Sequence, residues 1–398
     1  MKRSARALEE ALGELDSGLL RRRRTTVEGF AQPGNRLLAR AGGRTLIDFS
    51  SNDYLGLARH PALAAAMGGC AADAGAGSAA SHLVTGHGAE HERLEEELAA
   101  FTRRERALLF STGYMANLAV LGALAGRGER VLLDRLSHAS LIDGARLSGA
   151  ALRRYAHADA AAAERLLAED CGGVLLATDG VFSMDGDRAP LAALARVARA
   201  AQAWLVVDDA HGLGVVGAGG RGTLEECGLT SAEVPVLVGT LGKAFGSFGA
   251  FVAGDAALIE FLMQKARSYI YTTALPQPVA AASRAALALA QAEPWRRTRL
   301  AALIAHFRSR AAVARLPLAE STTPIQPLVL GGEAAVLAAQ RMLAEAGLWV
   351  AAIRPPTVPR GSARLRISLS AGHSEQQIDR LVEALERCCA RARQGSPA

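Results

Sequence analysis

Val234-Pro-Val-Leu-Val-Gly-Thr-Leu-Gly-Lys-Ala-Phe-Gly246 is an apolar run that breaks into a turn of small residues carrying one amine, Lys243. A run without polar alternation predicts a strand covered on both faces, as in a parallel sheet. The turn then places Lys243 at the carboxyl end of that strand, where ligands of open α/β sheets collect. Burial disfavours the ammonium form of a lysine, and a lysine that has lost its proton can join a carbonyl as a Schiff base.

The same grammar recurs upstream. Trp204-Leu-Val-Val-Asp-Asp-Ala-His-Gly212 is a second apolar run, with Asp208 at its carboxyl end. A carboxylate there can keep a pyridine nitrogen protonated and so make the ring an electron sink. Ala107–Phe110 leads into Ser111-Thr-Gly-Tyr-Met-Ala-Asn117, Val131–Asp134 into Ser137-His-Ala-Ser140, and Val174–Ala177 into Asp179-Gly-Val-Phe-Ser-Met-Asp-Gly-Asp187. These segments predict one crevice lined by several strand ends. A helix opening near Gly113 would offer N–H groups to a phosphate, and Tyr114 a flat ring.

The segments Asp134-Arg-Leu-Ser-His-Ala-Ser140, Asp179–Gly186, Val207-Asp-Asp-Ala-His-Gly212 and Thr240-Leu-Gly-Lys-Ala-Phe-Gly246 resemble the α-oxoamine synthases. These are pyridoxal-phosphate enzymes of the aspartate aminotransferase fold type, and the resemblance runs from Arg21 to the final helix. Phe49-Ser-Ser-Asn-Asp-Tyr-Leu-Gly-Leu57 and Ile353-Arg-Pro-Pro-Thr-Val-Pro359 are most similar to the branch that serves biotin synthesis. The resemblance implies an α/β, fold-type I enzyme: a large domain with a mostly parallel sheet flanked by helices, and a smaller α+β C-terminal domain.

It also implies roles. Lys243 would form the Schiff base with pyridoxal 5'-phosphate and later move the substrate α-proton. Asp208 would pair with the pyridine nitrogen, His211 would reach the ring hydroxyl, and His138 would stack on the ring face opposite Lys243 and help orient the acyl donor. Gly113 and Tyr114 would line the cofactor pocket, Ser183 would make a polar contact to the cofactor, and Thr240 would bind its phosphate. Arg354 and Thr357 match substrate-contacting positions, and alignment through Val27 selects Arg22 from the arginine cluster as an acyl-substrate contact. The implied reaction is an acyl transfer: decarboxylative condensation of L-alanine with pimeloyl-CoA or a pimeloyl-acyl carrier protein, releasing carbon dioxide and thiol. Glycine C-acetyltransferase, 5-aminolevulinate synthase and serine acyltransferase chemistry share these motifs, and a non-catalytic subunit of the same fold would have lost Lys243. The resemblance also implies a homodimer with each active site completed by the partner subunit.

Length and composition agree. A chain of 398 residues, half of them hydrophobic, can bury a large core and should form more than one domain. The expected division is a helical arm over 1–45, a cofactor-binding domain over 46–285 and a small domain over 286–398. The net charge of +6 and the block Arg21–Arg24 come with no nucleic-acid reader motif, so a solvated helix face is the expected explanation. His87 and His91 are four apart beside His82, but no third metal ligand is apparent, and His91 is expected to start a helix. Cys70, Cys171, Cys227, Cys388 and Cys389 show neither disulfide nor zinc spacing. No signal-peptide core precedes the chain's first helix and no apolar run is long enough for a bilayer, so a cytoplasmic, non-membrane setting is expected.

Overall fold

The computed structural model describes residues 5–32, 35–168 and 173–394. Cys171 and the first four residues lie outside the described residues. The chain divides into two compact units, one of residues 1–51, 184–186 and 300–398, the other of residues 52–183 and 187–299.

In the first unit, the helix Ala5–Ser17 ends where Leu20 and Arg21 both donate their amides to the Leu15 carbonyl, across a left-handed Leu19. Arg21–Arg24 therefore follow the helix in exposed irregular chain, which corrects the expectation of a helix face. Next come β1 (Gly29–Gln32), β2 (Asn35–Ala41) and β3 (Arg44–Asp48), paired antiparallel in sequence order.

The second unit is built on a seven-stranded sheet. Its strands are β4 (Arg106–Phe110), β5 (Arg130–Asp134), β6 (Ala151–Tyr155), β7 (Val174–Asp179), β8 (Trp204–Asp208), β9 (Val236–Thr240) and β10 (Ala250–Gly254), in the order β4-β10-β9-β8-β7-β5-β6. β10 alone runs against its neighbours, so β4, β5, β7, β8 and β9 share one direction and end at one edge. Both faces are covered, which explains the unbroken apolar runs. Val131, Leu133, Leu175 and Val206 pack on one side with the helix Gly113–Leu124, whereas Leu132, Leu176, Leu205 and Val207 pack on the other with the helices Ala160–Leu167 and Leu191–Ala200. Each fully buried Leu or Val contributes about 1.5–3 kcal/mol.

The chain then returns to the first unit. β11 (Ile325–Gly331), β13 (Ala351–Ile353) and β14 (Ala363–Ser368) form an antiparallel sheet with β14 in the centre. β12 (Leu348–Trp349) pairs in parallel with β3, which ties residues before 51 to those after 300. The long helix Glu375–Gln394 closes this unit.

Candidate active site

All the residues expected to hold the cofactor belong to the second unit, at or just after the carboxyl ends of like-directed strands. Gly113 and Tyr114 follow β4, His138 follows β5, Ser183 follows β7, Asp208 ends β8, and Thr240 and Lys243 end or follow β9. The turn that carries Lys243 is fixed by Gly246, which has a positive φ of 63° and backs onto the neighbouring loop. A Cβ at Gly246 would lie 2.3 Å from the Ala58 amide nitrogen, so only glycine fits. Thr240 Oγ1 donates to the Gly249 carbonyl at 3.1 Å and accepts from the Gly242 amide at 3.4 Å, bracing the same turn.

Lys243 Nζ stands 2.9 Å from His211 Nε2, and His211 Nδ1 stands 2.7 Å from the Tyr54 hydroxyl. On the adjacent strand, the buried Asp208 carboxylate accepts from Asn117 Nδ2 at 2.6 Å and from the Ala210 amide at 3.0 Å. Asn117 also donates to Ser140 Oγ at 2.8 Å, and Ser140 Oγ lies 2.7 Å from His138 Nδ1. The His138 amide donates to Asp179 Oδ2 at 3.0 Å. One connected network thus joins His138, Ser140, Asn117 and Asp208.

Burial governs the electrostatics of Asp179 and Asp209. Burial, reinforced by the Asp208 charge, pushes Asp179 well above the ordinary carboxylate range, against the His138 amide and Lys243. Burial likewise lifts Asp209 to about 7, although it accepts from the Thr223 amide at 2.6 Å. His138 keeps an exposed edge, yet loss of hydration holds it below the ordinary histidine value, with Asp208 opposing and Lys243 assisting.

The helix Gly113–Leu124 opens at the same strand edge, capped by Thr112 Oγ1, which accepts from the Met115 amide at 3.2 Å. Nothing lies within 4 Å of the place a Gly113 side chain would occupy, which leaves the helix N-terminus open to an anion. Tyr114 is exposed, its ring edge-on to His138 at 6.5 Å and its hydroxyl bonded to Asp143. Ser183 is half-buried in the loop after β7. An amine, a buried carboxylate held by two donors and an open helix N-terminus form a donor set that fits pyridoxal phosphate.

Of the expected substrate contacts, His138 belongs to the second unit, and Arg22, Arg354 and Thr357 belong to the first, where they converge. Arg22 donates to Thr357 Oγ1 at 2.6 Å, and Arg354, at the exit of β13, donates to the Leu19 carbonyl and to the Arg21 carbonyl at 3.4 Å.

Several residues without an expected role enter the networks. Tyr54, Asn117 and Ser140 touch His211, Asp208 and His138, and all three stand inside segments whose motifs were legible. His157 was not singled out: it bridges Asp134 at 2.9 Å and Asp187 at 2.7 Å. The fold brings His82, His87 and His91 together, with ligand atoms within 4.8 Å of one another. His91 is engaged at both nitrogens, accepting from the Gly88 amide at 2.9 Å as a helix cap and donating to the Leu275 carbonyl.

Comparison with known proteins bears on this geometry. Residues 44–385 match the family model for class I and II aminotransferases. An 8-amino-7-oxononanoate synthase of Methylococcus capsulatus is 62% identical over 86% of this chain and 89% of its own length. Among solved structures, a serine palmitoyltransferase of S. paucimobilis with bound pyridoxal phosphate and myriocin superimposes with a TM-score of 0.91, at 29% identity over 98% of both chains. An 8-amino-7-oxononanoate synthase from Francisella tularensis gives a TM-score of 0.77 at 33% identity, over 87% of this chain and 98% of that one.

Proposed function

The chain belongs to the 8-amino-7-oxononanoate synthase family of pyridoxal-phosphate acyltransferases, within the class I and II aminotransferases, and from that premise we propose how its own residues perform the reaction. The proposed substrates are L-alanine and a pimeloyl thioester, carried by coenzyme A or an acyl carrier protein. The products are 8-amino-7-oxononanoate, carbon dioxide and the free thiol. The carrying observation is the amine of Lys243 and the doubly held carboxylate of Asp208 at the ends of adjacent strands.

Bound pyridoxal phosphate supplies a protonated ring that accepts the electron pairs released when bonds to the amino acid's α-carbon break. Asp208 holds that ring nitrogen protonated, and the donors from Asn117 and Ala210 keep its carboxylate aimed. Lys243 anchors the cofactor aldehyde, then takes and returns the α-proton at Nζ. His211 Nε2 would serve as a hydrogen-bonding partner for the bound cofactor, and His138 would help hold the cofactor and orient the acyl donor. The open start of the helix at Gly113, with Tyr114, Ser183 and Thr240, receives the remainder of the cofactor. Arg354, Thr357 and Arg22 bind the substrates, with the Arg354 guanidinium suited to a carboxylate.

A homodimer and a cytoplasmic setting complete the proposal. Among the described residues no helix is long and apolar enough to cross a membrane. The test is isotopic. L-alanine labelled in its carboxyl carbon should release labelled carbon dioxide only when a pimeloyl thioester is present, and the amino ketone formed should carry no label. Release that occurs equally with glycine or serine, or without a pimeloyl chain, would overturn the substrate assignment.

A further inference from the structure

We propose that Tyr54 is a positioning residue whose hydroxyl fixes which nitrogen of His211 carries the proton, and with it the direction of the hydrogen bond to Lys243. The proposal rests on the reading of Lys243 as the amine that serves the cofactor.

Tyr54 is completely buried, so its phenol proton must be used on a protein partner. The loop that carries it has little freedom. Asp53 accepts from the Leu57 amide at 2.8 Å and the Ala58 amide at 3.1 Å, and Gly246 lies so close to Ala58 that a Cβ there would fall 2.3 Å from its amide nitrogen. In this setting the hydroxyl stands 2.7 Å from His211 Nδ1 and 3.2 Å from Asn52 Oδ1.

A phenol donates once, and a neutral imidazole carries one N–H. If Tyr54 donated to Asn52, it would have to accept from Nδ1–H of His211, leaving Nε2 as a bare acceptor toward Lys243. If it donates to His211 Nδ1, the imidazole proton sits on Nε2 and is offered outward. The shorter contact favours the second arrangement. That arrangement directs an N–H at the Lys243 nitrogen 2.9 Å away, a bond only the neutral, nucleophilic amine can accept. It offers the same N–H to an oxygen of a bound cofactor ring. The reverse arrangement would offer neither.

The test is 15N NMR of the full-length holoenzyme labelled at histidine, for the wild type and for Tyr54→Phe, which keeps the ring and removes only the hydroxyl. The wild type should show His211 protonated at Nε2 and bare at Nδ1, and Tyr54→Phe should lose that preference. kcat should fall about tenfold, the size of one hydrogen bond, with KM for the amino acid nearly unchanged. In a His211→Gln background the Tyr54→Phe change should add nothing further. Should Tyr54→Phe fail to fold, Asn52→Ala serves instead: it removes the competing acceptor and should leave the Nε2–H tautomer in place. A wild type protonated at Nδ1, an unchanged tautomer in Tyr54→Phe, a tautomer that shifts in Asn52→Ala, or losses that multiply with His211→Gln would each overturn the proposal. The NMR result does not depend on which amino acid or acyl chain is turned over, so a failed substrate assignment would leave it standing.

Discussion

Asn117 is the residue on which the Asp208 carboxylate most depends. It is buried, and its amide donates at 2.6 Å to one oxygen while holding Ser140 with its other hydrogen. Asn117→Leu keeps the volume and removes both donors. A hydrogen bond to a charged group is worth about 1.5–3 kcal/mol, so cofactor affinity should drop roughly 10- to 100-fold, measured by titrating apoprotein with pyridoxal phosphate. Unchanged affinity would mean that Ala210 alone suffices to hold Asp208. At this scale the sequence was most legible where chemistry sits next to punctuation: Lys243 in a small-residue turn, Asp208 at the end of an apolar run. Tyr54 and His211 are 157 residues apart, and no local pattern marks two such residues as partners.

At the scale of elements, His157 clamps the end of β5 to the loop that follows β7. It bridges Asp134 and Asp187, and its ring stands edge-on to Phe182 at 4.4 Å. Burial alone would lower its pKa, but the two carboxylates outweigh that and hold it at about 10. The folded value lies above the ordinary histidine value of about 6.5. The clamp's contribution to stability is therefore complete below that ordinary value, declines above it, and is gone once pH has risen through about 10. His157→Gln should lower the denaturation midpoint near pH 6–7, and the difference from wild type should vanish as pH approaches 10–11. A difference that persists at alkaline pH would assign the effect to packing. Five strands were readable as apolar runs because they are covered on both faces. β6 was not, since it is an edge strand with Arg153 and Arg154 exposed.

For the whole molecule, the decisive connection is one that a linear reading does not contain: β3 pairs with β12 across some 300 residues, placing the N-terminal strands in the same unit as the C-terminal ones. Arg22 thereby meets Thr357, and Arg354 holds the chain at Leu19 and Arg21. Fold and cofactor were legible from the strand-end motifs, whereas this convergence depends on long-range pairing. Deleting residues 1–24 should raise KM for the pimeloyl thioester about tenfold or more, from the loss of a charged contact. Lys243 and its partners lie in the other unit, so cofactor binding should survive. Loss of cofactor absorbance in that variant would contradict the separation of roles.

The most direct measurement is thiol release from pimeloyl-CoA and from a pimeloyl-acyl carrier protein by the cofactor-loaded protein, with L-alanine, glycine or L-serine, beside the Lys243→Ala variant. Release should require L-alanine and disappear in the variant together with the absorbance of lysine-bound cofactor. Substantial turnover by Lys243→Ala, or no alanine-dependent release from either pimeloyl donor, would contradict the account.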